Sequence, residues 1–82
     1  MTRIRYTAMT SRERDMIAKA ANLSATQTDI MNGLCRGDLY EYALYQNLHM
    51  DPHAFYKQKK ILDEKCERVL PELGIEYLKA QK

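Results

Sequence analysis

Between Tyr56 and Leu62 stand three lysines, Lys57, Lys59 and Lys60, with no acid among them, and Asp63, Glu64 and Glu67 follow. Ammonium groups gathered at one end of a helix suit phosphate, because each neutralised phosphate releases condensed counterions and adds about −0.9 to the slope of log affinity against log salt. The neighbours suit the same partner. The Gln58 amide has the donor and acceptor that read adenine bidentately, and Tyr56 can touch a thymine methyl or a phosphate. His53 adds a ring donor one turn earlier. A second basic cluster, Arg3, Arg5, Arg12 and Arg14 against the single acid Glu13, lies at the N-terminus, where an arm can follow a backbone or enter a minor groove. The candidate contact residues are therefore His53, Tyr56, Lys57, Gln58, Lys59, Lys60, Arg3 and Arg5.

Other chemistries find too few residues. Cys35, His49, His53 and Cys66 could in principle be assembled around zinc, but their spacing matches no finger or ribbon. His49 with Asp51, or Cys66 with Glu64, lacks the third orienting group a nucleophile and base require. The expectation is a protein that is not an enzyme and uses no metal or cofactor. A lysine cluster alone is usually an ordinary solvated helix face. What raises it above that is its place, just after a short turn on a well-capped helix.

The elements around these residues can be read from punctuation. Thr10 and Glu13 have the spacing of a capping box, opening a helix over Ser11–Asn22 with Met16, Ile17 and Ala20 inward. Ser24 and Gln27 repeat the device for a second helix ending near Arg36, with Gly37 as its stop. Ile30, Met31, Leu34 and Cys35 give its apolar face. Asp38 is expected to cap a third, short helix to Gln46 that buries Leu39, Tyr42 and Ala43, and Asn47 to make the left-handed turn after it. Asp51-Pro52 then sets an N-cap followed by proline at the first helical position, with Met50 and Phe55 placed to form a hydrophobic staple. That fourth helix carries Phe55, Leu62, Cys66 and Val69 on one stripe as far as Leu70, and Pro71 should kink or end it. Leu73, Ile75, Tyr77 and Leu78 are assigned to a last helical turn. Residues 1–9 alternate and read as an extended arm.

Composition agrees with a small helical domain. The chain has 82 residues, 45% hydrophobic and 29% charged, with three glycines and two prolines. That length supports one core, and strands are expected nowhere beyond the N-terminus. No apolar run approaches the ~18 residues of a membrane span, and residues 1–10 lack a signal peptide's apolar core, so a cytoplasmic protein with no membrane partner is expected. The net charge of +2 names no partner by itself.

Three segments carry a family likeness: Met9-Thr10-Ser11-Arg12-Glu13-Arg14, Gly37-Asp38-Leu39-Tyr40-Glu41-Tyr42-Ala43 and Ala54-Phe55-Tyr56-Lys57-Gln58-Lys59-Lys60-Ile61-Leu62. Their order resembles region 4 of bacterial sigma factors and short phage transcriptional regulators of the ArpU type. In that group a glycine precedes a Glu-Ile-Ala segment by two or three residues, and a Phe-Tyr-basic segment opens the recognition helix. Glu41-Tyr42-Ala43 and Phe55-Tyr56-Lys57 stand at those places. Gln46 departs from the pattern, at a position that usually carries an apolar residue. The resemblance implies an all-α domain of four to five helices over residues 10–82 behind a basic arm of residues 1–9. It also implies a helix-turn-helix at about 38–62 and a DNA-binding transcriptional regulator acting on double-stranded DNA. A homodimer, or contact with RNA polymerase or another regulator, is compatible with it. The alternative is a small helical protein-interaction module using exposed Tyr and Met side chains.

Overall fold

The structure, a computed structural model, describes the backbone of residues 2–81. Four helices build an all-α domain: α1 (Ser11–Ala20), α2 (Ala25–Arg36), α3 (Glu41–Asn47) and α4 (Pro52–Leu73). Short 3-10 turns at Tyr6–Ala8 and Glu76–Leu78 flank them, and two three-residue strands, β1 (Thr2–Ile4) and β2 (Lys79–Gln81), pair antiparallel with Arg3 opposite Ala80.

The helix starts follow from side chains that satisfy the first free amides. Thr10 Oγ1 accepts from Glu13 N at 3.1 Å while Glu13 Oε1 accepts from Thr10 N at 2.9 Å, and Ser24 and Gln27 repeat the exchange at 3.1 and 3.0 Å. Asp51 accepts from His53 N and Ala54 N at 3.0 and 3.3 Å, with Pro52 as the first helical residue. The ends of α1, α3 and α4 share one device, in which a left-handed residue lets two amides fold back onto the last carbonyls. Asn22 (φ 52°), His49 (φ 57°) and Gly74 (φ 73°) hold that position. After each comes an apolar residue, Leu23, Met50 or Ile75, whose amide reaches Ala18 O, Tyr45 O or Leu70 O respectively at 3.1, 2.8 and 3.1 Å.

Several expectations are corrected. Asp38 caps nothing, because its carboxylate is drawn to the Arg36 guanidinium at 2.9 Å, and α3 begins at Glu41 behind Tyr40, which offers no side-chain cap. The left-handed residue after α3 is His49, since Asn47 still belongs to the helix. Inside α3 the buried residue is Leu44, while Tyr42 is exposed and Leu39 and Ala43 are half-buried. In α1, Ile17 and Ala21 face the core and Ala20 faces water. Pro71 does not end α4, which runs on to Leu73. The proline removes one amide, but the closing bonds run from Gly74 N to Pro71 O and from Ile75 N to Leu70 O, and neither needs it. The segment expected to form a last helical turn supplies a 3-10 turn and then β2, a strand where none was foreseen.

The core gathers around α4, against which α1, α2 and β1 pack. Ile17, Ile30, Phe55, Leu62, Cys66, Leu70 and Leu78 are fully buried, with Met31, Val69 and Leu44 nearly so. Residues 1–9, read as an arm, are tied to this core among the described residues. Tyr6 and Met9 are buried, the Tyr6 hydroxyl donates to Asp63 of α4, and Arg5 N donates to Leu78 O at 2.8 Å.

Gly33 of α2 lies against Leu44 of α3, where a Cβ would stand 2.3 Å from Leu44 Cδ1. Leu44 is 3% exposed, and its side chain must shift to admit the methyl. Gly33→Ala is therefore expected to cost stability despite gaining about 1 kcal/mol of helix propensity, since overpacking costs about 1–3 kcal/mol. Urea unfolding checks this: the midpoint should fall for Gly33→Ala, and much of that fall should disappear in a Leu44→Ala background.

Candidate nucleic-acid interface

The N-terminal half of α4 is oriented by two fixed points, the Asp51 cap at its start and Phe55 plugged into the core one turn later. Phe55 meets the rings of Tyr45 and Tyr56 at 5.6 and 5.2 Å. With Phe55 inward, His53, Tyr56, Lys57 and Lys60 recur at three- and four-residue spacing and form one exposed stripe. Glu64 and Glu67 continue the same stripe, so its sign reverses half-way along the helix.

Gln58 and Lys59 leave the candidate set. Gln58 Oε1 accepts from Gln27 Nε2 at 3.1 Å, which turns its half-buried amide toward α2 rather than along the exposed stripe. Gln27 is itself buried and also accepts from Lys65 Nζ at 3.0 Å, so this amide pair joins α2 to α4. Lys59 is half-buried between Glu41 Oε2 at 3.7 Å and Asp63 Oδ2 at 3.3 Å. Asp63 in turn accepts from Tyr6, so Lys59 sits inside a polar chain running from the N-terminal segment through α4 to α3. Arg3 and Arg5 are exposed, but on β1 and just after it rather than on the α4 stripe.

The exposed aromatic side chains are all tyrosines. Tyr40, Tyr42 and Tyr56 are 77%, 57% and 47% exposed. Tyr40 and Tyr42 stack with centroids 5.9 Å apart and planes 8° apart, and Tyr45 meets Tyr56 edge-on at 6.2 Å. Tyr42 was expected in the buried stripe of α3, and the structure turns it outward. Desolvation, followed by the charge and hydrogen bonding of the nearby Glu41 carboxylate, holds the Tyr56 phenol above its ordinary range. The phenol is therefore a neutral donor at physiological pH.

Burial pushes the Cys66 thiol up to about 12 and the Cys35 thiol up to about 11, so both are protonated and poor nucleophiles. Among the described residues, no three His, Cys, Asp or Glu side chains are grouped to hold a metal ion, and no helix is long and apolar enough to cross a membrane. An open groove of about 260 Å³ between α2 and α3, flanked by Asp29, Asn32 and Arg36, shares no residue with the stripe.

Comparisons with protein-family profiles, curated proteins and solved structures find no match for this chain. The functional reading therefore rests on its own residues.

Proposed function

We propose that this chain is a cytoplasmic DNA-binding regulator of transcription that lays the N-terminal half of α4 on duplex DNA. The observation that carries the reading is the exposed stripe of His53, Tyr56, Lys57 and Lys60 at the capped start of the longest helix. The connection supports it: α3, the four residues Leu48 to Asp51 and α4 follow one another as helix, short turn and helix, the order in which a helix-turn-helix presents its second helix to the major groove. The likeness of Glu41-Tyr42-Ala43 and Phe55-Tyr56-Lys57 to sigma region 4 and phage regulators points the same way. Glu64 and Glu67 would repel phosphate, which confines the contact to the first two to three turns. The interaction-module alternative loses part of its support, since Met9 and Met31 are buried and Met16 and Met50 half-buried.

Fluorescence anisotropy on short mixed-sequence duplexes across a salt series tests the proposal. The Lys57→Ala/Lys60→Ala protein is expected to bind more weakly and to show a salt slope shallower by about 1.8, two phosphate contacts at about 0.9 each. Lys59→Ala should leave the slope nearly unchanged, because Lys59 is spent on Glu41 and Asp63. Equal binding by wild type and the double variant, or no binding at low salt, would sink the proposal.

A further inference from the structure

We infer that the stacked Tyr40–Tyr42 pair is a platform for an unpaired base, so that the chain prefers duplex DNA carrying a single-stranded end to blunt duplex. The inference rests on α4 being the duplex-binding surface and extends it to a second contact on α3. Two phenol rings lying parallel and facing water at 77% and 57% exposure serve no packing purpose in the domain. The rings already rest against each other, so an outer face remains open, and a flat aromatic face stacks on any base because every base has a π-face.

Position links the pair to the lysines. Tyr42 stands one helical turn before Tyr45, whose ring meets Tyr56 at 6.2 Å, and Tyr56 belongs to the stripe with Lys57 and Lys60. The exposed pair thus stands at the start of the helix whose Tyr45 meets the basic end of α4, and a strand leaving the duplex can pass from one to the other. The acids at that end of α3 are engaged: Asp38 with Arg36 at 2.9 Å and Glu41 with Lys59 at 3.7 Å. A strand phosphate passing there meets paired carboxylates rather than bare ones. Protein interfaces are poor in lysine, and the two free lysines next to Tyr56 favour a nucleic acid over a protein as the occupant.

The test compares anisotropy titrations of one short duplex in two forms, blunt and with an oligothymidine overhang on either strand. Wild type is expected to bind an overhang form about tenfold more tightly. Tyr40→Ala/Tyr42→Ala should erase that preference while leaving blunt-duplex affinity unchanged, and Tyr40→Phe/Tyr42→Phe should keep it, since stacking needs the ring and not the hydroxyl. Circular dichroism of each variant confirms that the surface changes leave the fold intact. Equal affinity of wild type for blunt and overhang forms, or an undiminished preference in the alanine variant, overturns the inference while leaving the α4 reading standing. Failure to bind any form overturns both. A protein partner whose capture requires the two tyrosines, together with indifference to the overhang, reassigns the pair to a protein surface.

Discussion

Phe55→Ala is expected to lose about 3–5 kcal/mol of stability, the range for emptying an aromatic site in a core. The whole domain holds only about 4–12 kcal/mol at the usual stability per residue, so this one change removes from about a quarter to all of it. Phe55 is fully buried, lies one turn into α4, and is wedged against Tyr45 of α3 and Tyr56 of its own helix. The cavity would open where α3 meets α4. Chemical unfolding at neutral pH checks this, with Tyr56→Ala as the contrast. Tyr56 is largely exposed, and its loss should cost little more than the ~0.5 kcal/mol usual for surface positions. A Phe55→Ala protein within about 1 kcal/mol of wild type would show that α4 is not anchored there.

Alkaline pH should unfold the domain progressively, and Cys66 should set much of the slope. Burial raises this thiol from its ordinary 9.0 to about 12 in the folded state. Below pH 9 the thiol is protonated whether the chain is folded or not, so its contribution is complete. Above pH 9 the unfolded chain releases a proton that the folded chain keeps, and stability falls as pH rises toward about 12. Cys35, raised to about 11 and only half-buried, adds a smaller decline over a shorter window. Tyr6, whose phenol burial also pushes up, adds to it from its own ordinary value of 10.0. Urea-derived stabilities measured stepwise from pH 8 to 11 read this slope directly. Cys66→Ala should be less stable at every pH because of its cavity, yet show a shallower decline. A flat profile between pH 9 and 11 would contradict the linkage.

The parts of this fold that could be read in the sequence are those set by contacts within one turn of helix. Thr10 with Glu13, Ser24 with Gln27 and Asp51 with Pro52 fix three helix starts through bonds spanning two or three residues, and each stands where its spacing puts it. Gly37 and Asn22 likewise take the left-handed positions assigned to them. Long-range competition accounts for most of the misses. Asp38 has the chemistry of a cap, but it pairs with Arg36 instead, and Tyr42 faces solvent where the pattern put it in the core. Lys59 and Gln58 resemble Lys57 and Lys60 in type and spacing, and only the positions of Glu41, Asp63 and Gln27 on other turns and helices separate internal from external donors. The tight contact of Gly33 with Leu44 went unread as well. No local pattern announces which residue of α2 a later helix will touch.

The ribbon of β1 and β2 implies an order of events in folding. Bringing Arg3 opposite Ala80 closes nearly the entire chain into a loop, and a two-stranded ribbon of three residues each cannot hold such a closure by itself. It must wait until α4 offers Asp63 to Tyr6 and a surface to Ile4. What fastens last opens first, so the Arg5 amide should exchange its hydrogen sooner than the amides of Leu62 and Cys66 in the middle of α4. When that clasp opens, Arg3 and Arg5 are released from the folded body and regain the reach of a free arm.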